Sequence, residues 1–198
     1  MIDIIIPTNK ELKKLKKQIS NIESTVNGDY KVLPTCFKAS AATNRNYGLN
    51  QAKSEIVIML DDDIKGFFHN WANLLIESLQ DPDVVMVSAR LMHNENKAGL
   101  MMNIKPDLSK DVVEVKDRML PSACIAFRND GTRFDEAYIG AGYEDTDFCM
   151  QLNEKYPNGK YMIDNRVKLI HKNEMKNQLN GQLMRNKYYF FDKWNVRE

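Results

Sequence analysis

Three consecutive aspartates directly follow a buried-looking apolar run and are the group in this sequence best suited to chemistry. Asp61, Asp62 and Asp63 come after the run Ile-Val-Ile-Met-Leu at residues 56–60. Such a run is typical of a buried strand, so the carboxylates are expected where a strand leaves the core, which is where open α/β sheets bind ligands. Carboxylates packed this closely repel one another, and a divalent cation would offset that repulsion. An acidic turn in which Asp63 caps a following helix is the alternative that the triplet alone leaves open.

A second acidic group follows two glycines later in the chain. The segment reads Gly140-Ala141-Gly142-Tyr143-Glu144-Asp145-Thr146-Asp147. Glycines let the backbone approach a ligand closely, and acids in the first turn of a helix are favoured by its dipole. Glu144 or Asp145 could accept the proton of an attacking hydroxyl as a general base. The same acids could instead only stabilise the start of the helix, so both interpretations stay open.

His171 is the third candidate, because it ends the apolar run at residues 167–170. A lone histidine is often structural, yet an imidazole beside carboxylate oxygens suits Mn²⁺ or a similar ion. A strand end would bring His171 near the rim that holds Asp63, and the ring would have to be neutral to bind a metal. His69 and His93 have no such setting and are predicted to be surface or packing residues.

The elements that must position these residues alternate between strands and helices. Strands are predicted at residues 2–6, 30–33, 56–60, 84–87, 122–127, 161–163 and 167–170, and helices at 12–22, 39–52, 68–79, 144–155 and 183–194. This alternation is typical of a parallel sheet with crossover helices. Residues 91–119 break the pattern and are expected to form a hairpin and loops.

Composition sets broad limits on the kind of protein. The chain has 198 residues, 43% of them hydrophobic and 28% charged, which suits one domain over residues 1–198 with a substantial core. A net charge of +1 gives no reason to expect a nucleic-acid partner. We expect a cytoplasmic location, because no apolar run is long enough to span a bilayer and the start of the chain does not resemble a signal peptide. Cys36, Cys124 and Cys149 lack paired metal-binding spacing and are predicted to be reduced packing residues.

Five segments, taken in order, resemble a GT-A fold glycosyltransferase of the family 2 type. They are Ile4-Ile5-Ile6-Pro7-Thr8, Ala42-Thr43-Asn44-Arg45-Asn46-Tyr47-Gly48, the DXD-like Asp61-Asp62-Asp63, Gly142-Tyr143-Glu144-Asp145-Thr146-Asp147, and His171. The segment with Glu144 and Asp145 most resembles the β-1,4-galactosyltransferase version. The resemblance covers most of the chain and implies a Rossmann-like, nucleotide-binding α/β fold with a mixed, mostly parallel sheet flanked by helices.

The resemblance also implies a role for each matching position. Pro7, Thr8, Asn44, Arg45, Asp61, Asp62 and Gly142 would bind the nucleotide sugar, Asp63 and His171 would bind Mn²⁺ or Mg²⁺, Asp145 would be the catalytic base, and Glu144 would hold sugar or acceptor hydroxyls. The reaction implied is transfer from a nucleoside diphosphate sugar, with a UDP-sugar favoured, to a hydroxyl with inversion. The acceptor stays open among a glycan, a protein and a lipid-linked molecule.

One feature departs from the family pattern. Such enzymes usually have an acidic residue after the second strand to hold the nucleotide base, but residues 33–41 contain no acid. Asp3 or a backbone contact would then have to take its place.

Two other functional classes compete with this interpretation. One is a nucleotidyltransferase, although residues 7–10 do not form the glycine-rich phosphate loop that it would need. The other is a non-catalytic sugar- or partner-binding module with a GT-A shape, against which the presence of Asp63, His171 and Asp145 argues.

The aromatic-rich C-terminal stretch at residues 183–194 has three possible roles. It also carries Arg185, Lys187 and Lys193. Such a helix could contact a membrane surface, pair in a homo-oligomer or pack on the core of its own chain. Packing on the core or pairing is the favoured expectation.

Overall fold

The computed structural model describes residues 1–37, 39–94, 97–98, 107–171 and 180–196. Its strands are β1 (Ile2–Thr8), β2 (Tyr30–Cys36), β3 (Ile56–Leu60), β4 (Val84–Asn94), β5 (Lys97–Ala98), β6 (Val112–Glu114), β7 (Cys124–Arg128) and β8 (Lys160–Ile170). Its helices are α1 (Lys16–Glu23), α2 (Ala41–Gln51), α3 (Trp71–Ser78), α4 (Glu144–Lys155) and α5 (Asn180–Trp194), with a 3-10 turn at Leu12–Lys14. Within these residues, no helix is both long and apolar enough to cross a membrane.

The strands of the described ranges form one sheet of eight, with the main order β2-β1-β3-β7-β4-β8-β6 and β5 paired with β4. β1 runs parallel to β2 and β3, and β8 runs parallel to β4. β7 lies antiparallel between β3 and β4, and β6 is antiparallel to β8. Five strands (β1 to β4 and β8) therefore point the same way, and their carboxyl ends share one edge. This arrangement confirms the predicted mixed, mostly parallel α/β sheet.

Helices cover the central strands and bury their side chains. In β1 the side chains of Ile4, Ile5 and Ile6 are fully buried, and β3 is buried from Val57 to its end at Leu60. Continuous apolar runs of this kind are typical of parallel strands that are covered on both faces. α2 contacts β1 and β2, whereas α3 contacts β4, β7 and β8.

Four strands (β1, β2, β4 and β8) are longer than the sequence predicts, and β2 and β8 show the physical reason. β2 continues past Pro34 to Cys36, because β2 is an edge strand of the sheet and an edge strand tolerates the missing N–H of proline. The two late strands predicted at 161–163 and 167–170 are one strand, β8. Its pairing with β4 shifts register between Asp164 and Lys168, and this bulge interrupts the apolar alternation.

The other predicted elements are close to their expected positions. α4 begins and ends where the sequence predicts, and α2 and α3 are each shorter at their ends. α1 begins only at Lys16, after the 3-10 turn. In the region predicted to form a hairpin and loops, β4 extends to Asn94 and pairs with β5, and residues 95–96 and 99–106 lie outside the described residues.

Close packing of α2 against β1 gives the first testable prediction. A Cβ atom on Gly48 would lie 2.2 Å from Cγ2 of Ile5 and 3.2 Å from Cγ2 of Thr35. We expect Gly48→Ala to lower the free energy of unfolding by about 1–3 kcal/mol, measured by urea denaturation. Gly181→Ala in α5, where a Cβ meets open space, is the matched control and should leave stability unchanged or slightly higher. A Gly48→Ala protein as stable as wild type would contradict this packing.

Candidate functional site

The carboxyl edge of the sheet brings Asp61, Asp63 and His171 together. Lys65 and Ile170 exchange two backbone hydrogen bonds, of 2.9 and 2.8 Å, which hold the segment after β3 against the end of β8. Nε2 of His171 then lies 3.3 Å from a carboxylate oxygen of Asp63 and 3.9 Å from one of Asp61. One ligand atom from each of the three residues lies within 4.8 Å of the other two.

The electrostatics of this cluster fit a divalent cation. Burial raises the pKa of Asp61, although the charges of Arg45 and His171 act in the opposite direction. The hydrogen bond from His171 is the main reason that the pKa of Asp63 is lowered. Burial acts to lower the pKa of His171, but its hydrogen bond to Asp63 and the charges of both aspartates outweigh this, so the pKa is raised. Two carboxylates and an imidazole this close together are a ligand set that suits Mn²⁺.

Asp62, the middle residue of the triplet, has different partners. Its carboxylate accepts a hydrogen bond from the hydroxyl of Thr8, and its other oxygen lies 2.6 Å from Nζ of Lys10. These contacts tie the triplet to the segment that follows β1. The three aspartates therefore divide, with Asp61 and Asp63 beside His171 and Asp62 beside the first strand.

Arg45 connects this cluster to the second acidic group. One terminal nitrogen lies 2.7 Å from a carboxylate oxygen of Glu144, and the other lies 3.3 Å from one of Asp61. Arg45 is 5% exposed and Glu144 is 3% exposed, so this is a buried ion pair. The guanidinium also packs over the ring of Phe134, 5.3 Å from its centre. Arg45 therefore links the aspartate triplet, through Asp61, to the later acidic segment, through Glu144.

Asp145 lies in the first turn of α4, next to this ion pair. Burial raises the pKa of its carboxyl to about 6, with the neighbouring charge of Glu144 adding to the effect and Arg45 opposing it. One carboxylate oxygen accepts a hydrogen bond of 2.9 Å from the backbone N–H of Thr146. A carboxylate whose pKa lies near neutrality suits a general base.

A cleft of about 380 Å³ opens at this edge of the sheet. It is lined by Pro7, Thr8, Asn9, Ala39, Ala41, Asn44, Arg45, Asp61, Asp62, Asp63, Gly140, Ala141 and His171. Six of the seven predicted nucleotide-sugar residues and both predicted metal ligands therefore share one cleft. Within the described ranges, Gly142, Glu144 and Asp145 are not part of this lining, but the Arg45–Glu144 ion pair joins them to it.

Asn44 has a structural role, in addition to the predicted nucleotide contact, that its local sequence does not indicate. Its side-chain oxygen accepts from the N–H of Phe37 at 3.0 Å, and its Nδ2 donates to the carbonyl of Phe37 at 3.1 Å. Nδ2 also lies 3.3 Å from the carbonyl of Ser40. The side chain thus shapes the segment that forms one wall of the cleft.

Asp3 does not replace the missing acid for the nucleotide base. It lies at the amino end of β1, whereas the cleft lies at the carboxyl end. Its carboxylate accepts from the N–H of Lys53 at 2.7 Å, and from the N–H and hydroxyl of Ser54 at 2.9 and 2.8 Å. The expectation that Asp3 could contact the base is therefore wrong.

Asp147, the last acid of the glycine-containing segment, anchors α5. It is fully buried and accepts from the indole N–H of Trp194 at 2.7 Å and from the hydroxyl of Tyr138 at 3.1 Å. Nζ of Lys193 lies 2.8 Å from the same carboxylate. Of the three roles considered for the aromatic stretch, these contacts support packing on the core of its own chain.

The fold is GT-A, the α/β architecture of one class of glycosyltransferases. The chain matches a mannosyltransferase from Pyrobaculum calidifontis, PcManGT, in complex with GDP-Man and Mn²⁺, with a TM-score of 0.67 and 15% identity over 100% of this chain and 64% of that chain. It also matches GalNAc-T7 with UDP, GalNAc and Mn²⁺, with a TM-score of 0.70 and 12% identity over 98% of this chain and 48% of that one. The chain therefore spans about two thirds and one half of these two structures.

Sequence comparison adds nothing to this likeness. No protein-family model matches the chain, and no curated protein matches it in sequence.

The raised pKa of Asp145 predicts how stability depends on pH. Because the pKa of about 6 in the folded chain exceeds the ordinary value of 3.8, the ionised carboxylate destabilises the folded state above pH 6. We expect Asp145→Asn to raise the Tm at pH 8, and this gain should shrink as the pH falls from 6 and vanish near 4. Asp117→Asn, at an exposed position, is the control and should leave the Tm unchanged. A lower Tm for Asp145→Asn at pH 8 would contradict the assignment of a desolvated carboxylate.

Proposed function

We propose that this chain is one domain, residues 1–198, that acts as a metal-dependent, inverting glycosyltransferase. It moves a sugar from a nucleoside diphosphate donor, with a UDP-sugar favoured, to an acceptor hydroxyl. The observation that carries this proposal is the meeting of Asp61, Asp63 and His171 at one cleft, with the partly buried Asp145 joined to it through Arg45 and Glu144. The GT-A fold supports it, as do the nucleotides and Mn²⁺ named with both compared structures.

The nucleotide occupies the cleft beside the end of β1. Pro7 and Thr8 border the base, and Asp61 contacts the ribose or the base. Asn44 supports the segment that contributes Ala39 and Ala41 to the lining of the cleft. The preference for UDP, the family 2 type and the β-1,4-galactosyltransferase-like character rest on the motif resemblance.

Asp63 and His171 hold Mn²⁺ or Mg²⁺, with Asp61 beside them. When bound, such an ion offsets the negative charge that develops on the departing diphosphate. Arg45 keeps the carboxylate of Asp61 oriented toward this position, since its second nitrogen lies 3.3 Å from that carboxylate. His171 must give up its proton to bind, so the affinity for the ion falls at low pH.

Asp145 accepts the proton of the acceptor hydroxyl as the oxygen attacks the anomeric carbon. The new carbon–oxygen bond forms on the face opposite the diphosphate, the bond to the diphosphate breaks, and the anomeric centre is inverted. Glu144 is fixed by Arg45 and by the N–H of Gly142, and it orients sugar or acceptor hydroxyls. Positioning of this kind and general base catalysis are the two contributions of the protein itself.

The two alternatives have less support. A nucleotidyltransferase would bind phosphate at a helix that starts directly after β1, but α1 begins only at Lys16, after a 3-10 turn. A non-catalytic binding module would not need a partly buried carboxylate with a pKa near 6 next to an ion pair that reaches its ligand site.

The metal site gives a direct prediction for ligand binding. We expect Asp63→Ala and His171→Ala each to weaken the affinity for UDP in the presence of Mn²⁺ by roughly tenfold or more, measured by isothermal titration calorimetry. The matched controls are Asp117→Ala and His69→Ala, at exposed positions outside the cleft. Unchanged affinity in both test variants would show that the metal site is elsewhere.

The base assignment gives a prediction for turnover. We expect Asp145→Asn to lower the release of UDP from UDP-glucose, UDP-galactose, UDP-GlcNAc or UDP-GalNAc, whichever the wild type uses best, by roughly 10²- to 10⁴-fold. Affinity for UDP with Mn²⁺ should stay close to that of wild type. The wild-type rate should fall as the pH drops through about 6, because the base must be ionised. Loss of UDP binding along with turnover would argue that Asp145 belongs to the donor pocket.

A further inference from the structure

A side chain of α5 forms hydrogen bonds to the loop that contributes Gly140 and Ala141 to the lining of the cleft. Asn186 lies on the buried side of α5 and is 1% exposed. Its oxygen accepts from the N–H of Ile139 at 3.1 Å, and its Nδ2 donates to the carbonyls of Ile139 and Gly142, both at 2.9 Å. One side chain thus engages three backbone groups of residues 139–142, which we call the glycine loop.

The shape of the glycine loop depends on support from outside the loop. Gly140 and Gly142 have φ angles of +68° and +109°, in a region that other residues rarely adopt. A Cβ on Gly140 would lie 2.5 Å from an oxygen of Gln182, and one on Gly142 would lie 2.5 Å from a methyl carbon of Leu183. α5 therefore packs directly on the backbone of the loop.

The glycine loop in turn contacts the elements that carry the acids. The carbonyl of Gly140 accepts a hydrogen bond of 2.9 Å from the N–H of Ala41, at the start of the helix that carries Arg45. The N–H of Gly142 donates to the carboxylate of Glu144. Displacement of the loop would therefore shift both partners of the buried ion pair, Arg45 and Glu144.

We propose that Asn186 is a positioning residue that fixes the glycine loop and, through it, the start of α4 relative to the cleft. α5 has a second anchor, since Trp194 and Lys193 bind the buried carboxylate of Asp147 at 2.7 and 2.8 Å. Removal of the Asn186 side chain therefore leaves the helix attached and frees only the loop. The expected effect of Asn186 on catalysis rests on the proposed function, whereas its role in fixing the glycine loop does not.

Hydrogen–deuterium exchange of the full chain tests the hold on the loop without any ligand. In Asn186→Ala, the amides of residues 139–144 should exchange at least about tenfold faster than in wild type, because three hydrogen bonds are lost. Asn186→Asp retains the acceptor for the N–H of Ile139 but sets a carboxylate oxygen against the carbonyls of Ile139 and Gly142, so its exchange should also be faster than that of wild type. This second variant also replaces the first if Asn186→Ala fails to fold.

Asn165 supplies the matched control. It is buried, and its Nδ2 donates to the carbonyls of Asp107 and Lys110 at 2.9 and 2.8 Å, in a segment that does not line the cleft. Asn165→Ala should lose stability as Asn186→Ala does, yet it should keep wild-type exchange at residues 139–144.

Turnover of the best UDP-sugar tests the consequence for catalysis. Asn186→Ala should lower kcat by roughly 10- to 100-fold, because the reacting groups are misplaced, while UDP affinity with Mn²⁺ stays within about threefold. Asn165→Ala should keep the wild-type kcat. A merely structural role would lower kcat equally in the two variants.

The outcomes separate this proposal from the function on which it rests. Wild-type exchange at residues 139–144 in both Asn186 variants overturns the proposal, and so does faster exchange with an unchanged kcat. Faster exchange in a protein whose wild type turns over no UDP-sugar supports the hold on the loop and counts against the proposed function.

Discussion

The buried guanidinium of Arg45 is the interaction on which the geometry of the site depends. It binds Glu144 at 2.7 Å and Asp61 at 3.3 Å, and so holds two carboxylates that would otherwise repel each other. Removing one partner of a buried ion pair leaves an uncompensated charge, which typically costs about 3–5 kcal/mol. The position of Arg45 therefore determines how the cluster around His171 sits relative to Asp145.

The sheet makes this arrangement possible because its parallel strands end at one edge. β1, β3 and β8 each deliver polar residues directly after an apolar run, and the backbone bridge from Lys65 to Ile170 draws two of these ends together. A carboxylate that is partly removed from water is unfavourable on its own, yet the same loss of water gives Asp145 a pKa near neutrality. The feature that weakens the fold locally is the one that would prepare this carboxyl group for the proposed proton transfer.

Much of the fold and the main elements of the candidate site could be predicted from the sequence, because those signals are local. The apolar run before Asp61 marks the end of a strand, and the acidic turn at Glu144 marks the start of α4 where the structure has it. The bulge that keeps β8 a single strand could not be predicted, because it depends on register with β4. The double ion pair of Arg45 and the bonds of Asn186 join segments far apart in the chain, and no local pattern encodes them.

Residue type also proved a poor guide to the task of some polar side chains. Asp3 and Asp147 are acids in suggestive places, yet each carboxylate is occupied by partners from its own chain. Asn44 lies in a segment for which the sequence resemblance predicts nucleotide binding, and its amide holds the backbone of a loop. Buried polar groups need partners, and which partners they find depends on tertiary packing.

Anomalous diffraction at the manganese edge, from crystals grown with UDP and Mn²⁺, would locate the metal and the nucleotide directly. We expect one strong anomalous peak within bonding distance of a carboxylate oxygen of Asp63 and a ring nitrogen of His171, with UDP bound in the adjoining cleft. A peak elsewhere, or UDP bound outside the cleft at the carboxyl edge, would contradict the proposed site.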